Sequence, residues 1–126
     1  MTTQFNHKRN YKAIMTDDFL VKVDVEAKGG TTVALEAIHS WFLDELKVGD
    51  TFEKRVGKAH CSKDDNYSRK SGRELSESRM KLSKFTVESS SLFGSTRIVT
   101  LLDNTENRYT LCAKLNSKFA HFIEYN

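Results

Sequence analysis

The sequence predicts an α+β fold, in which one or two helices pack on a small antiparallel sheet that ends in a C-terminal meander. Apolar and polar residues alternate from Lys84 to the end of the chain, as they do in half-buried strands. Two earlier segments, 33–47 and 64–82, instead carry apolar residues at helical spacing. The chain has 126 residues, which suits one domain with one hydrophobic core.

The N-terminal residues 1–16 are polar and basic, and they predict a flexible arm ahead of a single domain over 17–126. Residues 19–26 alternate like a half-buried strand, and Gly29-Gly30 after them predicts a turn. The cations of the arm are Lys8, Arg9 and Lys12.

Two interpretations of residues 33–47 stay open. An alternating pattern would make its first half the second strand of a hairpin, through Val33, Leu35 and Ala37. A helical pattern places four apolar residues on one face, namely Leu35, Ile38, Phe42 and Leu46. Because Gly49 stands where a helix C-cap belongs, we favour a helix over 33–47.

The middle of the chain predicts a strand over 51–61 followed by a helix over about 64–82. Ser62 to Asp65 has the spacing of a capping box, which would start this helix. Gly72 falls in the middle of the helix and implies either a close approach to another element or a break in the helix. A ladder of charges four residues apart would run along it, through Arg73, Glu77 and Lys81.

The C-terminal part predicts an antiparallel meander with short turns. Its expected strands are 85–87, 97–102, 109–115 and 119–125, and residues 88–91 are expected to form a loop.

Positive charge is concentrated in one segment. The window from Lys54 to Lys84 holds ten basic and four acidic residues, a local charge of +6, whereas the whole chain carries +3 and the remainder therefore −3. Such asymmetry indicates an anionic partner. Within this window, the residues expected to contact nucleic acid or a phosphate-bearing ligand are Tyr67, Arg69, Lys70 and Arg73, extended by Lys54, Arg55 and Lys58. The alternative for these cations is an exposed helix face with internal ion pairs.

Other residues that carry chemistry in some proteins have structural explanations here. His60 and Cys61 are neighbours on a strand and point to opposite faces, so they do not form one site. Asp64 and Asp65 stand where a helix needs its cap, which favours capping over catalysis. Five aromatic residues of the meander are expected to fill the core rather than bind bases, namely Phe85, Tyr109, Phe119, Phe122 and Tyr125.

Residues 57–75, which read GKAHCSKDDNYSRKSGREL, resemble a segment of small uncharacterised phage and prophage proteins. In those proteins a strand ends in a G-x-A-x-C-S turn and leads into a helix of the pattern D-N-[FY]-x-[RK]-K-x-G-R. Lys63 stands here in place of the expected proline, and Ser76 and Ser78 stand in a helix that is usually rich in alanine. The resemblance implies a phage-encoded intracellular protein and brings no activity or catalytic residues with it.

Together these observations predict a binding protein rather than an enzyme, acting in the host cytoplasm on nucleic acid or a phosphate-bearing ligand. The alternative is a phage-encoded inhibitor or modulator of a host protein, such as a nucleic-acid enzyme or a defence factor. We expect no catalytic residues, cofactor or metal, because no motif for them occurs. We expect no membrane contact, because no apolar stretch approaches about 20 residues.

Overall fold

The computed structural model describes residues 2–9, 11–15, 20–24, 28–66 and 68–126. Its elements in chain order are β1 (Thr3–Arg9), β2 (Tyr11–Met15), β3 (Leu20–Asp24), β4 (Lys28–Glu36), α1 (Ser40–Glu45), β5 (Thr51–Asn66), α2 (Arg69–Ser78), β6 (Lys81–Phe93), β7 (Thr96–Leu102), β8 (Arg108–Ala113) and β9 (His121–Tyr125). Seven strands form one antiparallel sheet in the order β1-β4-β5-β6-β7-β8-β9, and β2 and β3 form a separate two-stranded ribbon. In the described ranges, neither helix has the length and apolar character needed to cross a bilayer.

The seven-stranded sheet curls into a nearly closed barrel, so that its first strand approaches its last. The Gln4 side chain of β1 joins the two edges. Its Nε2 donates to the carbonyl oxygen of Ala120 at 2.6 Å, and its Oε1 accepts from the backbone N–H of Phe122 at 2.9 Å. Beside this seam, the N–H of Ala120 donates to the carbonyl oxygen of Ile38 at 2.8 Å. The seam is thus closed largely by a side-chain amide instead of a continuous ladder.

The interior of the barrel is apolar because alternate residues of each strand point inward. Tyr109 and Phe85 are the largest fully buried side chains. The other strand residues of this core are Val33, Leu35, Val56, Val87, Val99, Leu101, Leu111, Ala113 and Phe122. The short helix α1 packs against β7 and β8 and adds Leu43, which has no exposed surface, to this core.

The expected α+β fold is wrong, since more than half of the chain is strand and the two helices are short. The largest error lies in residues 33–47, where a helix was favoured. Residues 33–36 belong to β4, which pairs with β1 on one side and β5 on the other. The helix is limited to α1, and the alternating pattern of Val33 and Leu35 was the correct indication. Hydrogen bonds to a strand on each side hold this segment in the extended conformation, and they outweigh the preference for a helix that the spacing of its apolar residues suggests.

Gly29-Gly30 does not form the expected turn, because both residues lie within β4. The alternative interpretation pairs the first half of 33–47 in a hairpin with the preceding strand 19–26, but the observed partners of β4 are different. Strand β3 lies within the predicted segment 19–26 and pairs with β2, whereas β4 pairs with β1.

The second predicted helix is shorter than expected. Strand β5 continues to Asn66, which pairs with Lys28 of β4, so Ser62 does not cap a helix. The actual N-cap is Ser68, whose Oγ accepts from the N–H of Ser71 at 3.3 Å. The helix ends at Ser78, and the predicted charge ladder fails because Lys81 belongs to β6.

The C-terminal meander is confirmed, with β6, β7, β8 and β9 paired in sequence. Residues 88–91 are not a loop, because β6 continues to Phe93 and Ser91 pairs with Ile98. At the other end of the chain, residues 3–9 of the expected arm form β1, and their partners run from Glu36 to Gly30 of β4.

Helix α2 packs on the outside of β4 and β5 through small residues. Thr32 and Ala34 have no exposed surface, although they face away from the core residues Val33 and Leu35. Gly72 of α2 lies against the Thr32 side chain, so the close approach predicted from this glycine is confirmed. Gly57 of β5 lies against the helix backbone at Ser76 and Met80.

We predict that Gly57→Ala loosens α2 from the barrel. The added Cβ would collide with the Ser76 carbonyl oxygen and lie 2.7 Å from the Met80 nitrogen, and backbone cannot move aside as a side chain can. Overpacking of this kind costs about 1–3 kcal/mol, which urea unfolding would detect. Ser91→Ala, at an exposed position of β6, is the control and should change the free energy of unfolding by less than about 0.5 kcal/mol. A Gly57→Ala protein as stable as the parent would contradict this packing.

Candidate functional site

A cleft of about 600 Å³ opens where β5 and β6 separate. The two strands pair only over Thr51–Val56 of β5, and β5 then continues beside β4 alone. The cleft, which we call the Asp103 cleft, is lined by Val56, Gly57, Lys58, Arg79, Lys81, Ser83, Asp103, Asn104 and Thr105.

Four elements bring charge to the Asp103 cleft. Lys58 follows the core residue Val56 on the inner face of β5, and Arg79 is the C-cap of α2. Lys81 is the first residue of β6, and Asp103 follows the last residue of β7. Three cationic side chains therefore share the cleft with one carboxylate, and the local charge is positive.

Lys58 and Asp103 form an ion pair at the base of the cleft, with Nζ and Oδ2 3.1 Å apart. The Asp103 side chain is only 7% exposed, and that of Lys58 is 32% exposed. The Lys58 ammonium also lies 5.0 Å from the ring centre of Tyr125 and 5.5 Å from that of Tyr109, within cation–π range. The aromatic rings and the carboxylate together hold this lysine inside the mouth of the barrel.

Asp103 accepts further hydrogen bonds, which explain why a carboxylate can be buried here. The Tyr109 hydroxyl donates to Oδ2 at 2.8 Å. The backbone N–H groups of Thr105 and Asn107 donate to Oδ1 at 2.8 and 3.1 Å and shape the turn between β7 and β8. Asp103 thus stabilises the β7–β8 turn, pairs with the hydroxyl of the buried Tyr109 and holds the Lys58 ammonium in the cleft.

These contacts move the pKa values of Asp103 and Tyr109 away from neutral pH. Burial alone would raise the pKa of Asp103, but hydrogen bonds from Tyr109, Lys58 and Thr105 outweigh it and hold that pKa well below its usual range. Burial, together with the hydrogen bond and charge of Asp103, raises the pKa of Tyr109 far above its usual value. General acid–base catalysis favours groups that titrate near the working pH, and neither of these does so near pH 7.

Arg79 and Lys81 are the two cations of the cleft that lie outside the Lys58–Asp103 ion pair. Arg79 Nη1 donates to the Lys58 carbonyl oxygen at 3.2 Å, which fixes one edge of the guanidinium and leaves its other N–H groups available. Within the part of the chain that the structure describes, no carboxylate forms an ion pair with Arg79 or Lys81.

The predicted binding residues do not form one surface. Arg69, Lys70 and Arg73 are exposed on α2, outside the barrel. Lys58 is in the Asp103 cleft, whereas Tyr67 lies outside the described residues.

Lys54 and Arg55 line a second cleft of about 450 Å³ with Thr2, Glu36, Ala37, His39 and Phe119, which we call the Phe119 cleft.

Of the remaining candidates, only the side chain of His60 is described. His60 is exposed, and its Nδ1 lies 3.0 Å from the Thr31 hydroxyl. The side chains of Cys61, Asp64 and Asp65 lie outside the described part of the structure. Over the described ranges, no three His, Cys, Asp or Glu side chains are grouped to hold a metal ion.

Four of the five meander aromatics belong to the core or pack against it, as expected, whereas Phe119 lines the Phe119 cleft instead. Phe85, Tyr109 and Phe122 are buried, and Phe119 and Tyr125 are half-buried.

The sequence does not predict the Asp103 cleft. Arg79 and Lys81 lie in the basic window and in the predicted helix 64–82, and Asp103 lies between the predicted strands 97–102 and 109–115. The Asp103-Asn104-Thr105 series signals such a turn, but no sequence pattern shows that Lys58 lies across from it. That contact joins residues 45 positions apart through the separation of β5 and β6.

We predict that Asp103→Asn destabilises the protein by about 2–4 kcal/mol at pH 7, because it leaves Lys58 without its buried counter-charge. A lowered native pKa stabilises the protein above the unfolded-state pKa of about 3.9, and this contribution is lost as the pH falls through that range. The difference between parent and variant in urea unfolding should therefore shrink between pH 5 and pH 2. Glu53→Gln, at an exposed position, is the matched control. A difference that is absent at pH 7, or constant with pH, would contradict the assignment.

Comparison with known proteins identifies no family for this chain. No family model, no curated protein and no solved structure matches it significantly. The functional assignment consequently rests on the residues of the chain and their geometry.

Proposed function

We propose that the protein is a non-enzymatic binding protein of the host cytoplasm that engages nucleic acid, or another phosphate-bearing ligand, through the cations around strand β5. The observation that carries this proposal is the Asp103 cleft, where Arg79 and Lys81 face a concave surface without a carboxylate partner among the described residues. The resemblance of residues 57–75 to phage proteins supports the proposed location.

The chemistry of the Asp103 cleft suits phosphate oxygens. An Arg fork and a Lys ammonium are the side chains that proteins use most against phosphate. Ser83, Asn104 and Thr105 add neutral polar groups to the same lining. A concave surface of one charge sign also concentrates anions, because its low-dielectric walls focus the field.

Asp103 does not cancel this attraction. Its carboxylate is buried and already accepts hydrogen bonds from Lys58, Tyr109 and Thr105. The charge of Lys58 is balanced by Asp103, so the net attraction comes from Arg79 and Lys81. A binding role also fits the two shifted pKa values, which leave the pair in one protonation state around neutral pH.

Strand β5 connects the two clefts. Lys54 and Arg55 line the Phe119 cleft, and Lys58 lines the Asp103 cleft. Four residues of strand span roughly 13 Å, so the cations follow one another at distances that a nucleic-acid backbone can track. Exposed Arg69, Lys70 and Arg73 would extend the contact along α2, since Arg73 lies roughly 9 Å before Arg79 along the helix direction.

We predict that Arg79→Gln/Lys81→Gln weakens binding to oligonucleotides about tenfold or more at 50 mM salt, whatever their sequence. The loss of two phosphate contacts should also lower the slope of log affinity against log salt by about 1–2. Fluorescence anisotropy of labelled oligonucleotides from 50 to 300 mM salt would measure both quantities.

The matched control is Lys47→Gln/Lys114→Gln, which removes the same charge at two exposed positions outside both clefts. It should keep most of the affinity. Binding that ignores salt, or that falls equally in the control, would contradict the role of the Asp103 cleft.

A separate prediction concerns α2. The triple variant Arg69→Ala/Lys70→Ala/Arg73→Ala should lower the salt slope further if the helix adds phosphate contacts, with its folding unchanged because all three side chains are exposed. Anisotropy under the same conditions, with urea unfolding beside it, tests this. An unchanged slope and affinity would confine the contact to the clefts.

The second candidate function is binding of a host protein as an inhibitor or modulator. The observation that favours it is the β6–β7 hairpin tip, where Leu92 is 58% and Phe93 66% exposed. Exposed apolar residues at such a tip are typical of protein contacts. A pull-down from nuclease-treated bacterial lysate separates the two functions. A stoichiometric partner that survives nuclease and is lost with Phe93→Ser would favour this second function.

A further inference from the structure

We propose that Trp41, His39 and Phe119 form a strip on which unpaired nucleobases stack, so that the nucleic acid bound by this protein is single-stranded. This inference rests on the proposed function and specifies its ligand. We call these three residues the aromatic strip.

The rings of the aromatic strip are stacked on one another. His39 and Phe119 have ring centres 4.8 Å apart and planes inclined by 28°. His39 and Trp41 have centres 6.1 Å apart and planes inclined by 26°. The stack is held by backbone pairing, because His39 and Phe119 form an isolated antiparallel bridge. The rings therefore form a fixed stack with His39 in the middle, and the exposed Trp41 forms one of its ends.

Trp41 is the most exposed ring of the strip and faces solvent, not the hydrophobic core. Trp41 is 61% exposed, while Leu43, two residues later on α1, is fully buried. His39 and Phe119 are half-buried and line the Phe119 cleft. Trp41 also packs edge-on against Phe42, with ring centres 5.9 Å apart, and Phe42 in turn packs against the core. An exposed ring that is held in place is suited to stacking, since little freedom is lost on binding.

Cations surround the aromatic strip. Lys118 Nζ lies 5.3 Å from the ring centre of Phe119, and Lys54 Nζ lies 5.9 Å from that of Phe42. Arg55 lines the Phe119 cleft beside them. In the described portion of the chain, none of these three cations forms an ion pair with a carboxylate.

One acidic residue, Glu36, also lines the Phe119 cleft, but it does not reverse the charge. Its Oε1 accepts from the backbone N–H of Arg55 at 3.1 Å. In and beside the Phe119 cleft, three cations thus face one carboxylate. On α1, Asp44 and Glu45 follow Trp41, and Asp44 lies 3.9 Å from Arg97, so the positive charge is on the cleft side of the strip. Aromatic faces with cations beside them are the combination that binds single strands, where bases stack on rings and phosphates meet the charges.

A duplex would not use the aromatic strip. Its bases are stacked inside the helix, and only their edges are accessible in the grooves. A single strand exposes the base faces, and every base has a π-face, so stacking tolerates any sequence. The strip thus predicts a preference for single strands without a strong preference among sequences.

The fluorescence of Trp41 is a direct test, because Trp41 is the only tryptophan in the chain. The probes are a 15-nucleotide oligo(dT), a duplex of the same length and an abasic strand with the same number of phosphates. We expect oligo(dT) to quench the tryptophan emission as it binds, and the abasic strand to bind more weakly with little quenching.

The variants separate stacking from charge. Because these variants lack the tryptophan, their affinity is measured by the fluorescence anisotropy of a labelled oligo(dT). Trp41→Ala should weaken oligo(dT) binding about fivefold or more, and Trp41→Phe should restore most of the affinity because it keeps a ring. Binding of the duplex should change less than twofold in both. Val48→Ala removes an apolar side chain that is 66% exposed and lines neither cleft, and it is the matched control, with no expected effect on oligo(dT) binding.

The possible results distinguish the two proposals. If oligo(dT) binds in a salt-dependent way but Trp41→Ala has no effect and the emission is unchanged, the strip proposal is overturned and the proposed function stands. An abasic strand that binds as tightly as oligo(dT) overturns the strip in the same way. If neither single strand nor duplex binds at 50 mM salt, both proposals fail.

Discussion

The separation of β5 from β6 after Val56 is the constraint on which the rest of the structure depends. Before that residue β5 pairs with β6 alone, at Val56 it pairs with both β4 and β6, and beyond it β5 pairs with β4 alone. The chain returns from the end of β5 through α2, which packs outside the barrel and ends at Ser78, with Arg79 as its C-cap. The helix end, the first residue of β6 and the end of β7 therefore meet at the gap, which creates the Asp103 cleft.

The cleft also explains why an apolar barrel tolerates a charge at its mouth. An isolated buried carboxylate would be protonated or would unfold the turn, but Asp103 meets an ammonium, a phenol and two backbone N–H groups. Such a network has one arrangement that satisfies all its members. It therefore fixes the position of Lys58 and of the β7–β8 turn, and with them one wall of the cleft.

Local patterns in the sequence were sufficient for the C-terminal meander, because each of those strands pairs with its neighbour across a short turn. They were insufficient for residues 33–36, whose partners β1 and β5 lie on either side in the barrel. Helix α2 was placed correctly around Gly72 but given wrong ends, since long-range pairing extends β5 to Asn66. The site was predicted only as a basic segment. Burial of Lys58 against Asp103, and exposure of Trp41 beside His39, follow from tertiary packing that local spacing does not encode.

The seam at Gln4 has a consequence for self-association. Strands β1 and β9 are the edges of the sheet, and the unpaired N–H and C=O groups of an edge strand can recruit a strand from another molecule. The Gln4 amide occupies the carbonyl of Ala120 and the N–H of Phe122, which an incoming strand would need first. One glutamine side chain therefore both joins the edges of the barrel and hinders a strand of another molecule from pairing there.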